Sequence, residues 1–157
     1  MKRKATTEQE ESDNHIALNF INNHFIPIQD NQQTLPVINP ATSNVLCEVP
    51  LSNLDQVDLA VKAANDAFPS WSSRTVKDRI QYLIRYHQLV IKNKEKLAEL
   101  IVLEHGKTKE EAIAEIAKGN ETVEYAISLP QLALGSTLEV SRGVYCQDIK
   151  KPLGVVV

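Results

Sequence analysis

The sequence predicts an α/β protein. An amino-terminal hairpin precedes about four helices in a row, then a second hairpin and a final β-branched run. Three observations carry this. Apolar residues recur at helical spacing in four stretches, each opened by a capping residue. The segments on either side of the helices are β-prone and punctuated by turn residues. The last segment, Pro152-Leu153-Gly154-Val155-Val156-Val157, is a continuous run of the kind buried on both faces of a parallel sheet. Composition agrees: the chain has 157 residues, 43% hydrophobic and 24% charged, the range of an ordinary single globular domain.

Residues 1 to 15 are polar, lack glycine, proline and any apolar period, and read as a disordered tail. Between Ile16 and Val49, Phe25-Ile26-Pro27-Ile28 and Val45-Leu46-Cys47 are separated by the turn-rich stretches Gln29 to Gln33 and Asn39 to Asn44, which gives an irregular hairpin region. Ser52-Asn53-Leu54-Asp55 reads as a capping box for a first helix whose stripe is Leu54, Val57, Val61, Ala64 and Phe68, with Pro69 expected to stop it. Thr75 with Asp78 opens a second helix carrying Ile80, Leu83, Ile84, His87, Val90 and Ile91. Asn93 is expected to break the chain and recap it before Leu97, Leu100 and Ile101, and Gly106 to supply the left-handed residue that ends this third helix. Thr108 with Glu111 opens a fourth, which carries Ala112, Ile116, Val123 and Ile127 up to Pro130. Beyond Gly135 the period changes to two, with Leu138 and Val140 on one face, Arg142-Gly143 as a turn, and then Val144 and Cys146. A buried parallel strand at Val155 to Val157 needs neighbours and a crossover helix, and no further residues are there to provide them. The sequence therefore reads as truncated, and its helix stripes as facing a sheet that these residues do not contain. On its own such a chain is expected to be unstable or prone to aggregate.

Charge and composition exclude several classes of function. Lys plus Arg total 17 against 20 for Asp plus Glu, a net of -3, which leaves no electrostatic footprint for nucleic acid. Apolar runs such as Leu100 to Leu103 fall far short of the ~20 residues that span a bilayer, so no membrane association is expected. The basic start Met1-Lys2-Arg3-Lys4 gives way to Glu8, Glu10, Glu11 and Asp13, unlike a secretory or mitochondrial leader. Cys47 and Cys146 are far apart and form no C-x-x-C, which suits reduced structural thiols and a cytoplasmic location.

Each motif that suggests chemistry has a plainer structural explanation. Gly106-Lys107-Thr108 looks like the end of a phosphate loop, but Ile101 stands where that loop needs its first glycine, and a helix stop followed by a helix cap accounts for the triplet. No G-x-G-x-x-G occurs. His15, His24, His87 and His105 lack metal-ligand spacing, and His87 reads as a hydrogen-bonded histidine at the core or its rim. Glu104-His105 and Glu121 with Glu124 lie at helical surface spacings and read as solvated charges. Neither cysteine has the adjacent cation or helix start that favours a thiolate nucleophile. The glycosylation sequon Asn120-Glu121-Thr122 reads as helix surface. From the residues alone, no catalytic, cofactor-binding or metal site is assigned.

Several strings nevertheless resemble the amino-terminal portion of the aldehyde dehydrogenase superfamily. They are Ile38-Asn39-Pro40-Ala41-Thr42, Ala63 to Phe68 through Trp71, Glu104-His105-Gly106-Lys107-Thr108, Gly119-Asn120-Glu121-Thr122-Val123-Glu124-Tyr125-Ala126 and Lys151-Pro152-Leu153-Gly154-Val155-Val156. The Gly-Lys-Thr and Val-Glu-Tyr-Ala contexts are most similar to the CoA-acylating methylmalonate-semialdehyde dehydrogenase branch. The resemblance runs from about Ile16 to Val157 and implies a partial aldehyde dehydrogenase fold: part of an NAD-binding domain over 16–157, with oligomerisation-arm strands at about 135–151 and the first strand of an incomplete Rossmann sheet at Val155 to Val157. It further implies that NAD, CoA and the catalytic Cys belong to segments beyond these residues. Members of the branch oxidise methylmalonate or malonate semialdehyde to propanoyl-CoA or acetyl-CoA. Lys118 stands where many branch members have an Arg thought to hold the substrate carboxylate, and an ammonium lacks the planar fork for that grip. The expectation is a truncated relative without activity of its own. The alternatives are a non-catalytic module that pairs through its hairpin strands into a homo- or hetero-oligomer with an intact relative, or a piece of a longer active enzyme.

Overall fold

A computed structural model describes residues 15–156. The expected tail lies outside the described residues except for His15, which forms a short strand with Ile16 (β1, His15–Ile16). β1 runs parallel to β5 (Val45–Pro50), and β5 pairs antiparallel with β4 (Thr34–Ile38), giving the order β1-β5-β4. Pro36 is tolerated in β4 because that strand is an edge, where a missing N–H breaks no ladder. The turn between β4 and β5 is closed by Asn39 N–H donating to the Asn44 carbonyl at 2.9 Å and by the Asn39 side chain accepting from Ala41 N–H at 2.9 Å. β2 (Phe20–Ile21) and β3 (His24–Phe25) form a separate ribbon. Asn22 and Asn23 turn it at φ 50° and 63°, the left-handed pair that a two-residue hairpin needs. The strand expected at Phe25 to Ile28 thus sits earlier in the chain, since Pro27 cannot donate to a ladder.

Helix α1 (Leu54–Ser72) starts one residue later than the sequence reading placed it. Asn53, not Ser52, is the cap: its side chain accepts from Gln56 N–H at 2.9 Å, and Gln56 Oε1 accepts from Asn53 N–H at 3.2 Å. The Ser52 hydroxyl instead accepts from Asn19 Nδ2 at 2.8 Å. Pro69 does not end α1, contrary to expectation. It lies within the last turn, where the lost donor serves a single carbonyl, and Ser70, Ser72 and Ser73 hydroxyls donate to the carbonyls of Ala67, Pro69 and Ser70.

Helix α2 (Val76–Lys92) is capped by Thr75, whose hydroxyl accepts from Asp78 N–H at 3.1 Å. Asn93 breaks the chain before α3 (Lys94–His105) but does not recap it with its side chain, which turns back to donate to the Leu89 carbonyl at 2.8 Å. Gly106 ends α3 at φ 77°, as expected. Helix α4 (Lys109–Ile127) opens with a full capping box between Thr108 and Glu111. The one-turn α5 (Leu129–Leu132) was not foreseen; Pro130 fits its first turn, where no intrahelical donor is needed. Strands β6 (Ser136–Ser141) and β7 (Val144–Asp148) form the second hairpin over Arg142-Gly143, with Leu138 opposite Cys146.

Helices α2, α3 and α4 pack together, α4 lying against both others and the short α5 against α2 and α4. Ala98 on α3 and Ala112 on α4 are fully buried, but no large side chain among the described residues is. Leu54 of the α1 stripe is 81% exposed. Val155 and Val156 belong to no strand, because the expected parallel sheet has no second member among these residues. The architecture is a partial α/β fold of helices and small sheets.

Candidate functional site

The polar groups that could do chemistry gather at two places. One is the start of α4. Thr108 N–H donates to Glu111 Oε2 at 3.0 Å, and this bond, with a second from the Thr108 hydroxyl, holds the Glu111 carboxyl below the usual carboxylate range. The Lys107 ammonium, 2.5 Å from Glu115, lowers that carboxyl as well. Lys109 reaches Glu95 at 3.0 Å and Glu99 at 3.4 Å on α3, and its ammonium is raised chiefly by the hydrogen bond to Glu95. These groups tie α3 to α4 at an exposed rim, where water screens each pair. Gly106-Lys107-Thr108 is therefore a helix stop, an ion pair and a helix cap, with no phosphate loop.

The other place is the groove between α2 and α4, about 410 Å³, walled by His87, Val90, Ile91, Lys94, Asn120 and Glu124. His87 Nε2 lies 3.6 Å from Glu124 Oε1, beyond hydrogen-bond range. His87 Nδ1 and Asn120 Oδ1 are buried without protein partners. Asn120 is only 7% exposed, so the sequon asparagine is not on the helix surface as expected. The signal for this was in the sequence: Asn120 is four residues beyond Ile116 and three before Val123, on the inward stripe of α4. Glu121 pairs with Lys118, whose ammonium that carboxylate raises. Lys118 lies on the exposed side of α4, its side chain 81% accessible.

The remaining candidates stay apart. Cys47 is half-buried in β5 and Cys146 exposed in β7, both as free thiols. His24 lies in β3 and His105 closes α3. Among the described residues no group of three or more His, Cys, Asp or Glu is placed to hold a metal ion. Among the described residues no helix is long and apolar enough to cross a membrane. An apolar groove of about 410 Å³ follows α1 between Phe20, Ile21, Val57, Val61 and Val156. It offers surface to another segment and no reacting group.

The described residues, helices with capped starts beside short hairpins, make a partial α/β fold. The model of the aldehyde dehydrogenase family matches residues 27–157, and the chain belongs to that family. It is 41% identical over 139 residues to the malonate-semialdehyde dehydrogenase of Bacillus velezensis, an alignment covering 88% of this chain and 28% of that protein. To the Bacillus subtilis (strain 168) malonate-semialdehyde dehydrogenase it is 38% identical with the same coverage. Among solved structures, the methylmalonate-semialdehyde dehydrogenase of Oceanimonas doudoroffii superposes with a TM-score of 0.81 at 30% identity, over 85% of this chain and 27% of that one. A Sinorhizobium meliloti chain assigned as a methylmalonate-semialdehyde dehydrogenase, solved with NAD, also gives 0.81, at 29% identity over 86% and 28%. The chain thus spans little more than a quarter of the relatives it matches, and its likeness to the methylmalonate-semialdehyde branch stands on both sequence and fold.

Proposed function

We propose that these 157 residues are the amino-terminal scaffold of an NAD-dependent, CoA-acylating dehydrogenase of malonate or methylmalonate semialdehyde, and that alone they carry no dehydrogenase activity. The observation behind this is the separation of the chemistry-bearing side chains. Covalent aldehyde oxidation needs a thiolate activated by a neighbouring base or cation, and both thiols sit in strands of separate sheets, Cys47 in backbone register with Val37 and His15 and Cys146 opposite Leu138. The identity to malonate-semialdehyde dehydrogenases over 88% of the chain supports the substrate class.

These residues carry no dinucleotide-binding glycine loop. A pyrophosphate sits where a glycine-rich turn leads into a helix start, and no G-x-G-x-x-G run precedes α1, α2, α3 or α4. No step through NAD is therefore assigned to these side chains. The test is incubation with malonate semialdehyde, NAD and CoA, with NADH followed by absorbance and acyl adducts by intact mass. Neither signal is expected; turnover together with acylation of Cys47 or Cys146 would overturn the reading.

A second reading rests on the β6–β7 ribbon, which exposes every residue of both strands and, among the described residues, pairs with no third strand. Open edges of this kind accept a strand from another chain. In this reading the segment is an interaction module for an intact relative. Co-expression with a full-length dehydrogenase should then yield a complex of fixed stoichiometry, and recovery of a partnerless monodisperse monomer would exclude it.

A further inference from the structure

We draw no further inference here: the strongest candidate, the groove between α2 and α4 where the buried polar atoms of His87 and Asn120 lack partners, is an open helix face and nothing in the structure shows what covers it.

Discussion

Gly106 joins two constraints on a single Cα. Its φ of 77° lies in the left-handed region, and a Cβ there would stand 2.8 Å from Pro40 Cγ, so the residue both ends α3 and lets the Asn39 to Asn44 turn approach it. Gly106→Ala should cost about 1–2 kcal/mol through the backbone alone, seen as faster amide exchange over the last turn of α3. Unchanged protection would show that the turn yields at no cost. Thr108 is the other decisive residue. Thr108→Ala removes the cap of α4 and should loosen its first turn by about 1 kcal/mol, read by the same exchange measurement. The cap also depends on pH. Glu111 and Glu115 are held below the usual carboxylate range, so their contribution is complete above the ordinary value and is lost as pH falls through the lowered one. Helicity of α4 should therefore drop on acidification. In the double variant Glu111→Gln, Glu115→Gln that drop should flatten, and circular dichroism against pH decides the matter. Capping was legible in sequence because it is local: Thr75, Thr108 and Gly106 act within four residues of themselves. Asn53 was missed in favour of Ser52 because two adjacent residues of capping type satisfy the same spacing rule, and only the Asn19 contact to the Ser52 hydroxyl separates them.

At the scale of elements, α3 packs against α4, and the fully buried residue on each is an alanine, Ala98 and Ala112. Ala98→Leu adds methylene groups where no room exists and should destabilise this pair by about 1–3 kcal/mol, measured by urea titration of helical signal. An equal change at exposed Lys96 should leave it unmoved. The second hairpin is pinned at its open end by Gly135, where a Cβ would run into the Asp148 carbonyl oxygen. Gly135→Ala should unpair Ser136 from Asp148, visible as loss of the cross-strand contact in NMR spectra. Periodicity found the four long helices and the β6–β7 turn, because apolar spacing and capping residues coincide there. It did not resolve the strands before α1. Their pairing is long-range and joins pieces of two to six residues, as when His15 meets Cys47, and no local pattern encodes that register. Pro69 and Asn120 were misplaced for related reasons. A proline in a final turn costs one bond rather than a helix, and an asparagine on an apolar stripe is buried with the stripe.

Across the whole molecule, the apolar faces outnumber the surfaces available to cover them. Leu54, Tyr125, Leu138, Leu153 and Val156 are each more than half exposed. The isolated chain should accordingly bind a hydrophobic dye, associate as concentration rises and melt without a sharp cooperative transition. A cooperative melt of a dye-silent monomer in scanning calorimetry would contradict this. By itself the sequence determined the helix starts at Thr75 and Thr108, the helix stop at Gly106, the β6–β7 hairpin, the net charge of -3 and, through its strings, the family. Those features follow from interactions within a few residues or from the identity of the letters. Only the tertiary structure decided that Asn120 Oδ1 is buried without a protein partner, that Lys118 faces outward onto Glu121, that the two thiols stand in separate sheets and that Val155 and Val156 have no strand beside them among the described residues. Burial and pairing depend on which distant surfaces meet, and the free energy of an apolar face is settled by what packs on it rather than by its own residues.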